Sequence, residues 1–292
     1  MSAQNVLFDA PGPKARRTIL IGNIIGALLI AGLIAYVVFL LGGKGQLAAD
    51  KWTPFLEGRT WEFFLLPGLL STLRAAAIAV VTSVLFGLIF GLGRLSHVKP
   101  IRWFAGLVVE FFRAVPVLLM MIFLWLALGR SNLVEDAPFW AVVIALTLYN
   151  GSVIAELIRS GVQGLPKGQR EAGLAIGMTQ MQSLRTIEVP QALIAMLPAL
   201  VSQFVVILKD SALGYIIGFP ELLQNARRLG VGEGNLLQSL LIAAVIFIVI
   251  NFALSSLATK LSKLLSFRSK GRARDETLDG IAAAEPEGTL SR

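Results

Sequence analysis

The stretch Leu236–Thr259 reads LLQSLLIAAVIFIVINFALSSLAT and contains no Asp, Glu, Lys, Arg or His. A helix needs roughly 20 apolar residues to cross the hydrocarbon core of a bilayer, and this run supplies them without interruption. Working outward, Thr18–Gly43 is uncharged, as is Ala75–Gly93, which is led in by turns from Pro67. Trp103–Leu128 is interrupted only by Glu110 and Arg113, and Pro138–Ala155 runs on toward Glu156 and Ile158. Pro190–Leu208 is uncharged and continues through Lys209 and Asp210 to about Ile217. A transmembrane barrel would instead show alternating segments of about ten residues. The pattern predicts an all-α membrane protein of six transmembrane helices.

Composition agrees. Of the 292 residues 55% are hydrophobic and 15% charged, against about 25% charged in a soluble domain. There is no cysteine, so disulfides, thiolate metal sites and a thiol nucleophile are excluded, and the single histidine, His97, excludes a paired-histidine metal motif. The apolar core of the first run is too long for the 7–15 residues of a signal peptide, so it reads as a retained span despite the basic Lys14, Arg16 and Arg17 before it.

The formal charge of +8 follows membrane topology rather than a nucleic-acid partner. With the N-terminus inside, the inner segments hold Lys14, Arg16 and Arg17; Arg94, Lys99 and Arg102; Arg159, Lys167, Arg170 and Arg185; and the run Lys260, Lys263, Arg268, Lys270, Arg272 and Arg274. The outer segments hold Lys44, Lys51, Arg59, Arg130, Arg227 and Arg228. That distribution obeys the positive-inside rule and places both termini in the cytoplasm. The basic run reads as an anchor on anionic lipid heads. The expected organisation is an N-terminal tail (1–17), an additional span (18–43), an external interfacial segment rich in Trp and Phe (44–66), a core of five spans (67–263), and a basic, then disordered, tail (264–292).

Between the fourth and fifth spans lies Arg159–Val189, which is unusually ordered for a loop. Gln169–Gly177 reads as a short helix ended by glycine. Thr179-Gln-Met-Gln182 reads as a capping box. The helix it opens carries Met181, Leu184 and Ile187 along one face, and Pro190 ends it. An apolar stripe on a loop of this kind suits either docking of a partner or an amphipathic helix resting on the membrane.

Glu171-Ala172-Gly173, followed by Gly177, Ile187 and Pro190, resembles the EAA loop of the permeases of binding-protein-dependent ATP-binding-cassette importers. The family pattern has a second Ala where this chain has Gly173, and Leu where it has Val189; the spacing is intact. Leu66-Pro-Gly-Leu-Leu-Ser-Thr72, Glu110-Phe-Phe-Arg113-Ala-Val-Pro116, Glu156-Leu-Ile-Arg159 and Leu208-Lys-Asp-Ser-Ala-Leu213 resemble the polar amino acid (histidine, glutamine and glutamate) branch. The likeness covers about Leu65–Lys263. The additional first span is most similar to the larger permease subunit of actinobacterial glutamate importers. The resemblance implies a permease that binds no cofactor of its own, with ATP and magnesium on a separate cytoplasmic ATPase dimer. It also implies a second homologous permease, a heterodimer being favoured over a homodimer, and an extracellular amino-acid-binding protein, in the plasma membrane. The coupling residues it implies are Glu171, Ala172, Gly173, Gly177, Met181, Leu184, Ile187 and Pro190.

An ionisable residue deep in a span costs about 3 kcal/mol or more and needs a partner or a function. The third span centres near Val115–Pro116 and the fifth near Phe204–Val205, so Arg113 and Lys209 lie about 4 and 7 Å from the middle of their spans, and Pro116 and Pro198 break backbone bonds within those spans, as in helices that line a cavity. Arg113 and Lys209 are then candidates for a substrate carboxylate, and Glu110 or Asp210 for an ammonium group. Ser211 and Asn150 are polar neighbours. The competing reading is internal pairing, Glu110 with Arg113 at i, i+3 and Asp210 with Lys209 or with the partner subunit. Arg74 is expected to snorkel to the outer surface.

The sequence holds no Gly-x-x-x-x-Gly-Lys-Ser/Thr phosphate loop, and Gly230–Gly234 reads as a turn. No Gly-x-Ser-x-Gly or His-Glu-x-x-His motif is present. The chief rival function is an ion-coupled secondary amino acid transporter, which lacks a use for the ordered loop.

Overall fold

The computed structural model describes residues 12–131, 133–257 and 260. Most of the basic run and the whole C-terminal tail lie outside those residues. The chain divides into two units, 1–57 and 58–292.

The first unit is dominated by α1 (Pro13–Gly43). It starts a turn before the apolar run does, because Pro13 at its first position has no N–H to leave unpaired. Gly45, at φ +65°, turns the chain into two short 3-10 turns, Ala49–Lys51 and Thr53–Leu56, where the Trp52 and Phe55 rings lie 6.4 Å apart.

In the second unit a π-turn at Trp61–Leu65 leads into α2 (Leu66–Arg94). After the turn at Leu95–Val98 come α3 (Lys99–Ala114), α4 (Val117–Ser131) and α5 (Ala137–Gln163). The loop carries α6 (Lys167–Ala175) and α7 (Gln180–Ser183), then α8 (Val189–Asp210). A 3-10 turn (Ser211–Ile217) leads to α9 (Leu222–Gly232) and α10 (Leu236–Leu257).

Among the described residues five helices are long and apolar enough to span a bilayer, and α3 with α4 makes a sixth if the pair is one broken span. The third span expected from sequence, with its backbone break at Pro116, is sharply bent: the two helices meet at 98°. Val115 is extended (φ −85°, ψ 128°), as the residue before a proline tends to be, and Pro116 has no N–H to continue the ladder. By contrast α8 passes through Pro198 unbroken, and Ser202 Oγ donates to the carbonyl of Pro198 at 2.9 Å.

The core forms where small residues let helices approach, the usual solution in a bilayer. A Cβ on Gly87 would meet the side chain of Ile154, and one on Gly91 would lie 3.1 Å from the Ala155 carbonyl oxygen. Thr82 and Thr147 share a hydrogen bond of 2.5 Å across the same α2–α5 seam. Met120 and Met121 from α4 and Ile207 and Leu208 from α8 complete the buried cluster around Val142 and Leu146.

Candidate functional site

Arg94 closes α2 at the end of the bundle that carries the loop, and it gathers the neighbouring charges. Its Nη2 donates to Glu110 Oε1 on α3 at 3.0 Å, and its Nη1 lies 2.8 Å from Glu156 Oε2 on α5. Arg159 donates two hydrogen bonds to Glu156, at 3.1 and 2.5 Å. Arg113 joins from α3, 3.6 Å from Glu110 and 3.8 Å from Glu156. Three guanidinium groups therefore share two carboxylates, and the cluster holds one positive charge in excess. Glu156 is its hub; the sequence marked it only as the polar end of a span, because nothing in the linear text brings Arg94 to it.

The bend at Val115–Pro116 decides the depth of Arg113. Asn150 on α5 and Gln203 on α8 touch (Gln203 Nε2 donates to Asn150 Oδ1 at 2.6 Å), so they mark one level. Glu156 is six residues, about 9 Å, from that level toward the loop, and Lys209 is six residues, about 9 Å, from it in the other direction. Arg113 and Lys209 are thus separated by about 18 Å of depth, and the estimate from span midpoints that brought them together does not hold. Among the described residues neither Lys209 nor Asp210 makes an ion pair. Ser211 is buried and donates to the Leu208 carbonyl at 2.7 Å. Asn150 is fully buried, its amide also donating to the Leu146 carbonyl at 3.0 Å.

The loop forms the two expected short helices. Gly177, at φ +85°, takes the left-handed conformation that closes α6. Thr179 and Gln182 make both bonds of the capping box, at 2.8 and 3.3 Å. The apolar stripe, suited by sequence to docking a partner or resting on the membrane, packs on this chain itself. Leu184 is only 5% exposed and packs with Val162, Val189 and Ala192, with Met181 against the same group. Ile187 lies against Gly173: a Cβ there would sit 3.0 Å from Ile187 Cδ1 and from Ser183 Oγ. The stripe thus seats the loop on its own bundle, where it covers Val162 at the end of α5. Gln191 donates to Gln169 at 3.0 Å, and Ser183 donates to the buried Glu188 at 3.0 Å, holding the same seat. What remains open is the outer side of α6: Glu171, Ala172, Leu174 and Ile176 are exposed, Ile176 by 74%. Leu174 and Ile176 were not singled out from sequence, where their spacing does not separate them from the buried stripe. Pro190 is exposed in the first turn of α8.

At the opposite end Gly218, at φ +80°, ends the 3-10 turn, and Glu221 caps α9 by accepting from Leu223 N and Gln224 N, both at 2.7 Å. Thr72 Oγ1 on α2 accepts from Leu222 N at 3.1 Å, and Asn225 donates to the Phe64 carbonyl at 3.2 Å. Glu221 is fully buried, and burial pushes its carboxyl up to about 7 against the lowering effect of the two N–H donors. Arg74, expected at the surface, is exposed and also stacks over the Phe139 ring at 4.9 Å. Gly230 and Gly232, expected in a turn, lie in the last turn of α9, and only Glu233 and Gly234, the latter at φ +65°, turn the chain out of the helix.

A bundle of spans broken at Pro116, with an ordered helical loop between the fourth and fifth, is the architecture of an importer permease. The chain belongs to the family described as the binding-protein-dependent transport system inner membrane component, whose model matches residues 83–266. It is 46% identical over 250 residues to the glutamate transport system permease protein GluD of Corynebacterium glutamicum, covering 85% of this chain and 89% of that one. It is 32% identical over 208 residues to the glutamate/aspartate import permease protein GltK of Escherichia coli, covering 68% of this chain and 92% of that one. A crystal structure of an amino acid ABC transporter with histidines superposes with a TM-score of 0.64 at 31% identity, over 74% of this chain and 97% of that chain. An inward facing structure of the MetNI methionine ABC transporter shares the fold, with a TM-score of 0.61 over 72% of this chain and 99% of that chain, at 17% identity.

Proposed function

We propose that this chain is the permease subunit of an ATP-binding-cassette importer that takes up a polar amino acid, glutamate being favoured. The observation that carries this reading is the ordered α6–Gly177–α7 loop with its exposed outer side, on a bundle 46% identical to a glutamate permease. The loop and both termini face the cytoplasm of a plasma-membrane protein. ATP and magnesium are held by a separate ATPase dimer, and Glu171, Leu174 and Ile176 touch it. Leu184, Met181, Ile187, Gly173 and Gly177 hold α6 in place for that contact, and Ala172 and Pro190 set its register. ATP-driven closure pulls on α6, and the loop passes that movement through its seat on α5 and α8 to the spans.

The second permease is a shorter homologue, and a binding protein delivers substrate at the end of the bundle opposite the loop, where Gly218–Asn235 lies. Polar groups at three depths are available to the substrate: Lys209, Asp210 and Ser211 first, Asn150 in the middle, and Arg113 with Glu110 near the loop. The cluster that Arg113 and Glu110 share with Arg94, Glu156 and Arg159 holds one positive charge in excess, which suits an acidic amino acid.

The test is uptake of labelled glutamate by cells with and without the chain, challenged with unlabelled glutamate, glutamine, histidine and arginine. Chain-dependent uptake blocked by acidic competitors supports the reading. Unchanged uptake on deletion, or arginine as the best competitor, overturns the glutamate assignment.

A further inference from the structure

Beside the ionic cluster, α3 and the end of α5 enclose a cavity of about 650 Å³ whose chemistry is divided in two. One wall is basic: Lys99, Arg102, Arg94 and Arg159. The other is apolar and belongs to α3: Trp103 and Leu107. Arg94 and Arg159 are occupied by Glu110 and Glu156. Lys99 and Arg102 make no ion pair among the described residues, and both are exposed. Arg102 also borders a second cavity of about 490 Å³ that adds His97, Lys167 and Arg170. The carboxylates lining these spaces, Glu110 and Glu188, are already engaged by Arg94 and by Ser183. Cations thus converge on a space whose own anions are spent.

We propose that this cavity binds the headgroup phosphate of an anionic phospholipid, with Lys99 and Arg102 as its principal ligands and the acyl chains lying along α3. Two observations separate a lipid from a free phosphate. The cavity opens where α2 and α5 end, which is the level of the headgroups. Its apolar wall continues onto the exposed Ile101, Phe104 and Phe111 of the same helix, and Trp103 is 72% exposed at its edge. A soluble anion has no use for that strip, whereas an amphiphile uses both walls, and tryptophan suits the interface between them. Arg102 offers a planar fork matched to phosphate oxygens and Lys99 a point charge. A bound lipid would brace α3 against α5 beside the cluster that joins them.

The inference rests on the proposed permease placement in the bilayer, and its test is chosen to fail separately from that reading. The complete importer, purified with its partner subunits, is incubated with dioleoylphosphatidylglycerol and examined by native mass spectrometry. Wild type is expected to retain the lipid. Lys99→Gln and Arg102→Gln each lower retention about fivefold, from about 1 kcal/mol per basic residue near the surface, and the charge-keeping Lys99→Arg/Arg102→Lys pair restores it. Arg227→Gln/Arg228→Gln at the opposite end leaves it unchanged. Glycerol 3-phosphate does not displace the lipid. Equal retention in the neutral variants overturns the proposal, and displacement by glycerol 3-phosphate overturns the lipid source in favour of a free anion. Amino acid uptake by the same preparation in proteoliposomes reports on the permease reading alone.

Discussion

One guanidinium, that of Arg94, touches Glu110 and Glu156 at 3.0 and 2.8 Å and so ties α2 to both α3 and α5. Because α3 is bent away from α4 at Pro116, this cluster, together with the buried Ala105 and Val109, fixes α3 against the bundle.

Replacing Glu156 by Gln removes the shared counter-charge and leaves Arg94, Arg113 and Arg159 converging. A fully buried pair broken on one side costs 3–5 kcal/mol; the Glu156 side chain retains 22% exposure, so a loss of about 1–3 kcal/mol is expected. Thermal unfolding of the purified importer measures it. A double-mutant cycle with Arg94→Ala is expected to show coupling, and additive losses would contradict the shared cluster.

Leu184→Ala and Ile176→Ala separate seating from contact. Leu184 is buried among Val162, Val189 and Ala192, so its truncation is expected to cost about 2–4 kcal/mol and loosen the loop. Ile176 is exposed, so its truncation is expected to leave stability within about 0.5 kcal/mol while weakening co-purification of the ATPase. Pull-down and melting temperature, measured on both variants, test the split. Equal loss of stability would refute it.

Glu221 makes the opposite end sensitive to pH. Its folded value, about 7, is raised above the ordinary 4.5. Its contribution is therefore fully present below about pH 4.5 and is lost as pH rises through about 7. Amide hydrogen exchange in α9 is expected to quicken between pH 5 and 8, after correction for the intrinsic rate. Glu221→Gln keeps an oxygen to cap the helix and is expected to flatten the dependence; an unchanged slope would assign it to another group.

Gly87→Ala is expected to destabilise the bundle by about 1–3 kcal/mol, since a Cβ there meets Ile154 Cβ at 2.7 Å. Gly106→Ala on α3 faces open space and is expected to be neutral or slightly stabilising. Urea or thermal titration of the two variants compares them directly.

The sequence by itself determined the spans, the loop and its local geometry. Uncharged runs such as Leu236–Thr259 fix helices because a backbone in hydrocarbon must satisfy its own hydrogen bonds. Gly177 and the Thr179–Gln182 box fix the loop because each acts within a few residues of itself. Pro116 was also visible as a breaker, though not the 98° it produces, since the angle depends on what α3 and α4 pack against. Tertiary structure alone decided the rest. It decided that Leu184 is buried and Ile176 open, because periodicity names a face without naming what covers it. It decided that Arg113 belongs with Arg94, Glu156 and Arg159 and stands about 18 Å in depth from Lys209, because ion pairs between helices depend on distances that only packing sets.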